Sequence, residues 1–173
     1  MGKLSTIFLT LAIVFTVAFG AWATVRIVKD YQFNNNCEVY IQRAANASSV
    51  EMAKEELAKA IKYAEDNNLT EGIVSIFLKR PKNDVGYWYK NMKTAYEELD
   101  NLPEDATTLE KTNLLMKLRE SLTDNGESST YVIHPEGISI YPNNVAYFWW
   151  GIISGLGALG LWIAFLIRWW IYD

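Results

Sequence analysis

The chain has 173 residues, with 16 Lys and Arg against 20 Asp and Glu and a net charge of −4, enough for one small domain and two membrane spans. Residues 31–145 hold 12 Lys and Arg and 18 Asp and Glu, a net charge of −6; an acidic middle repels phosphate backbones, which argues against nucleic acid as a partner. The single cysteine, Cys37, excludes an intrachain disulfide.

Charge is absent from residues 4–25 and 137–167. The first of these, LSTIFLTLAIVFTVAFGAWATV, meets the roughly 20 apolar residues needed to cross a bilayer as a helix. Lys3 and the Ala21-Trp22-Ala23 pattern also fit a cleavable signal peptide. The reading adopted is an uncleaved signal-anchor over residues 1–27, followed by a central domain over 28–145 and a second transmembrane helix over 146–173.

In the central domain, Phe33, Cys37, Tyr40 or Ile41 and Ala44 recur at helical spacing and would continue the first helix outward as a stalk. Asn34-Asn35-Asn36 argues against that continuity, because Asn favours turns and caps. Ser48-Ser-Val-Glu51 reads as a capping box. The stripe Val50, Ala53, Leu57, Ala60, Ile61 and Ala64 predicts a helix ending near Asn67-Asn68. Asp84 is the expected N-cap of a helix with Val85, Trp88, Met92, Tyr96 and Leu99 on one face. After Pro103, a second capping box, Thr107-Thr-Leu-Glu110, opens a helix carrying Leu115, Leu118 and Leu122. Gly126 is its expected stop.

Gly72–Leu78 (GIVSIFL) is apolar and β-branched over a strand's length, with Tyr131–His134 as its expected antiparallel partner and Ile138–Tyr141 as a third extended piece. The fold class expected is therefore mainly α: two transmembrane helices flanking a small helical domain with a short β-hairpin.

The second span, about residues 147–171, carries Trp149 and Trp150 at one end and Trp169 and Trp170 at the other. Indole prefers the headgroup zone, and pairs about 20 residues apart span roughly 30 Å of helix, so these four are the expected interface anchors. Gly151-Ile-Ile-Ser-Gly155 is a GxxxG motif. Gly151, Ser154, Gly155 and Ala158, extended by Gly160, form a small-residue face of the kind that lets helices pack closely in lipid. Its partner, whether a second copy, the first helix or another protein, is left open.

Basic residues near the two ends nearly balance: Lys3 and Arg168 on the terminal side, Arg26 and Lys29 on the other. The signal-like start points to the domain lying outside the cytoplasm, in a plasma (bacterial inner) membrane. There is no run of basic residues that would hold an anionic lipid headgroup.

No residue pattern points to catalysis, a cofactor or a metal. His134 is the only histidine, and His134-Pro-Glu136 lacks the P-C-x-x-C that zinc deaminases pair with H-x-E. Adjacent carboxylates such as Glu55-Glu56 and Glu97-Glu98 point apart on a helix. Cys37 is either an unreactive thiol or one half of an intermolecular disulfide.

The expected function is non-enzymatic: a two-span scaffold or accessory subunit of a membrane assembly, in contact with lipid and with other subunits or copies of itself. The alternatives are an extracytoplasmic sensor or ligand-binding module that signals through a separate partner, and a non-catalytic subunit of a membrane enzyme complex.

Overall fold

The computed structural model describes residues 2–125 and 130–172. It is mainly helical, with a single short two-stranded sheet among the described residues. The chain divides into two compact units: Met1–Lys29 with Asn143–Asp173, and Asp30–Pro142.

The first unit is built from the apolar helices. Helix α1 covers Lys3–Phe33 and the last helix, α6, covers Asn144–Tyr172; both are long and apolar enough to cross a membrane. Several of their side-chain hydroxyls bond back within the helix. Thr10 Oγ1 donates to the Thr6 carbonyl at 2.9 Å, Thr16 Oγ1 to Ala12 at 2.7 Å, Thr24 Oγ1 to Gly20 at 2.9 Å and Ser154 Oγ to Trp150 at 2.6 Å. A hydroxyl bonded in this way presents no unsatisfied donor to its surroundings.

The second unit begins with the last residues of α1. The Asn run does not end the helix, contrary to expectation. Asn34–Glu38 forms a π-helical turn, and α2 (Val39–Ala45) follows without a break. The amides serve the helix here: Asn36 Nδ2 donates to the Gln32 carbonyl at 2.8 Å, and Asn34 Nδ2 donates to Glu38 at 3.3 Å. The wide turn keeps Phe33, Cys37 and Ile41 buried.

Helix α3 (Val50–Asp66) buries the whole predicted stripe, Val50, Ala53, Leu57, Ala60, Ile61 and Ala64. Its cap differs from the expected box by one residue. Ser49, not Ser48, is the N-cap and accepts from Met52 N at 3.2 Å; Glu51 then falls a position too early to close the box. The helix ends at Asn67, and Asn68 takes a left-handed φ of 58°.

Helix α4 (Val85–Asp100) is capped by Asp84, whose Oδ1 accepts from Tyr87 N at 2.9 Å. It buries Val85, Trp88, Met92, Ala95 and Leu99, leaving Tyr96 half-buried at the margin. Helix α5 (Thr108–Leu122) starts at the Thr107/Glu110 capping box and buries Leu118 and Leu122. α3 packs on α2 and α4, and α5 packs on the same two helices. One apolar core results, running from Phe33 to Ile138.

The strands depart most from expectation. The hairpin pairs β1 (Thr123–Asn125) with β2 (Thr130–Val132), with Asp124 opposite Tyr131. Gly126 lies outside the described residues. Gly72–Leu78 is not a strand: it makes a single antiparallel bridge, Ile73 to Asp84, and then turns away. Ser75 Oγ accepts from Leu78 N at 3.2 Å, a local side-chain bond that displaces ladder pairing. A partner strand that begins five positions along the chain also costs less loop entropy to reach than one some fifty away. Ile138–Ile140 is a 3₁₀ turn, not a third strand.

Candidate functional site

Within the unit of apolar helices, small residues of α6 meet large residues of α1. A Cβ added at Gly151 would come within 2.7 Å of the Trp22 ring, and one at Gly155 within 3.2 Å of Phe19; at Gly157 it would run into the Phe15 ring. Phe19 and Trp22 are stacked with centroids 5.2 Å apart. Trp22 Nε1 donates to the Tyr147 carbonyl at 2.8 Å, and Trp162 Nε1 donates to Thr16 Oγ1 at 3.1 Å.

Ser154 is buried in this seam and Ala158 is half-buried, whereas Gly160 faces open space. The small-residue face therefore has a neighbour in its own chain. Gly157 is absent from the GxxxG reading. Its signal lay on the other helix, where Phe15, Phe19 and Trp22 recur at i, i+4 and i+7 as a complementary large-residue stripe. Trp149, Trp150, Trp169 and Trp170 all lie on the surface of α6.

In the central domain, an open groove of about 720 Å³ lies between the start of α4 and strand β2 with the segment after it. Tyr87 stands exposed at this groove, one residue from buried Trp88. Consecutive helical positions lie about 100° apart, so one ring enters the core while the next leaves it.

Several polar groups of the groove are hydrogen-bonded. Tyr131 Oη donates to Asp124 at 3.2 Å, Lys82 Nζ to Glu136 at 3.3 Å and Asn91 Nδ2 to the Ser121 carbonyl at 2.9 Å. Asn83 Oδ1 is sealed from solvent without a hydrogen-bond partner. His134 stands edge-on to Phe33 with centroids 5.2 Å apart, and its Nε2 lies 3.9 Å from Glu38 Oε2. Among the described residues no group of His, Cys, Asp and Glu is arranged to hold a metal. The groove is a mostly apolar recess.

Cys37 is 0% exposed and packs in the core, its Sγ 3.8 Å from the Ala60 carbonyl. Burial, reinforced by the charge of Glu38, pushes the thiol up to about 12. A protonated thiol sealed in a core is a poor nucleophile. Comparison with protein-family models, curated proteins and solved structures finds no match for this chain.

Proposed function

We propose that the chain is an integral membrane protein with two spans, whose central domain lies outside the cytoplasm and serves as a non-enzymatic scaffold or accessory subunit of a membrane assembly. The observation that carries this reading is the surface of α1 and α6. Leu11, Val14, Val17, Ile153, Leu156 and Ile163 point outward and are exposed, while the hydroxyls between them are bonded internally. Hydrocarbon suits such a surface and water does not. The aromatic-on-glycine seam already occupies Gly151 and Gly155, so contacts with other subunits or copies fall to the remaining helix surface and to the domain.

Alkaline carbonate extraction followed by mild solubilisation and pull-down tests the proposal. The chain should stay in the membrane pellet and then purify with fixed companions, or copies of itself, in constant ratio. Release by carbonate, or a monomer with no companion, refutes it.

The groove beside Tyr87 favours a second reading, a ligand-binding module that signals through a separate partner. A small molecule that raises the unfolding temperature of the intact chain, but not of a Tyr87→Ala variant, would select it. A cofactor-bearing companion in the pull-down would point instead to a subunit of an enzyme complex.

A further inference from the structure

We propose that the loop carrying Phe77 and Leu78 docks on the surface of an anionic bilayer, as a third lipid contact beside the two apolar helices; this rests on the membrane reading above. Phe77 is 69% exposed and Leu78 62% exposed. Lys79, Arg80 and Lys82 follow within four positions, and all three are exposed. This is a concentration of positive charge in a domain whose net charge is negative. Apolar side chains flanked by cations suit an interface in which the first enter the acyl boundary and the second meet lipid phosphates. Glu136 offsets Lys82, which leaves Lys79 and Arg80 as the principal cations.

The base of the loop is held beside the point where the chain leaves the domain. Tyr141 Oη donates to the Glu71 carbonyl at 2.8 Å, and Tyr141 immediately precedes Pro142, the domain's last residue. Val74 is buried beside Gly137. Lys82 reaches Glu136, two residues from His134, whose ring meets Phe33, the last residue of α1. A loop held beside the tether at Tyr141 of a membrane-bound domain meets the bilayer at high effective concentration, so weak contacts suffice. The sequence reading overlooked it because Pro81 interrupts the basic run and the preceding residues resemble a strand.

The full chain carrying Leu78→Cys, labelled there with an apolar, polarity-sensitive dye, is placed in lipid discs of phosphatidylcholine alone or with about one-third phosphatidylglycerol. Cys37 is sealed in the core, and unmodified chain should take no label. The dye emission should shift to the blue only in anionic discs. Adding Lys79→Glu and Arg80→Glu, both at exposed positions, should remove the shift and weaken docking by on the order of tenfold or more.

A dye equally wet in both lipids overturns the proposal. So does a dye equally buried in both and indifferent to the charge reversal, which would identify a protein surface as the cover. Incorporation into discs is measured separately on the same sample. A chain that fails to incorporate overturns the membrane reading itself, and a chain that incorporates with a wet dye overturns only the docking loop.

Discussion

Trp22 lies against Gly151 so closely that any side chain there would sit 2.7 Å from the indole, and the same indole donates to the carbonyl of Tyr147, one turn earlier on α6. The missing Cβ lets the ring approach, and the hydrogen bond fixes its orientation.

This relationship predicts an ordered series of stabilities. Gly151→Ala should destabilise the helix pair by about 1–3 kcal/mol, since the crowding falls on a ring held by its own hydrogen bond. Gly155→Ile should do the same through Phe19. Gly160→Ala, which meets nothing, should be close to neutral. Unfolding temperatures in detergent give the order, and equal effects at Gly151 and Gly160 would contradict the seam.

Much of the central domain was legible because its helices obey period and capping together. All six stripe residues of α3 are buried, and Asp84 and Thr107 cap the predicted helices. Gly72–Leu78 was not legible, because an apolar β-branched run is common to strands and to loops, and Ser75 decides between them through one local bond. The Asn run misled because its amides, free to cap, instead bond Gln32 and Glu38 inside a continuous helix. The groove could not be read at all: Tyr87 and His134 are 47 positions apart and carry no shared motif.

Burial of Cys37 predicts both reactivity and pH dependence. The folded thiol should resist alkylation at pH 8 and react once the chain is unfolded, and a non-reducing gel should show no thiol-linked dimer. A thiol raised from 9.0 to about 12 binds its proton more tightly in the fold. Its contribution is complete below pH 9 and is lost as pH climbs towards 12. Tyr63 is raised as well, first by burial and then by Cys37, and adds to the alkaline loss. Cys37→Ala should therefore narrow its stability gap from the parent chain between pH 8 and 11, measured by urea unfolding; a constant gap would contradict the assignment.

The capping box of α5 predicts an acid-sensitive step. Glu110 accepts from Thr107 N at 2.7 Å and from Thr107 Oγ1 at 2.8 Å. The backbone bond first, and the hydroxyl second, hold its carboxyl below the ordinary 4.5. A depressed carboxyl stabilises the fold above its unfolded value, and that support is lost as pH falls through the lower folded value. Glu51, lowered chiefly by its own backbone N–H and then by Ser49, contributes in the same direction. Glu110→Gln keeps an acceptor but has no titration, so its urea midpoint should fall less between pH 6 and 3 than that of the parent chain.

Gly72 and Tyr141 predict a coupled pair. Gly72 has φ 92°, and a Cβ there would overlap the Tyr141 hydroxyl, which also donates to the Glu71 carbonyl. Gly72→Ala therefore meets both backbone strain and a clash, at about 1–3 kcal/mol. Tyr141→Phe loses one hydrogen bond, about 1 kcal/mol. In the double variant the clashing oxygen is gone while the positive φ remains, so the two costs should sum to less than their separate values by at least about 0.5 kcal/mol. Strict additivity in a urea-unfolding cycle would mean that backbone strain alone, and not the hydroxyl, excludes a side chain at position 72.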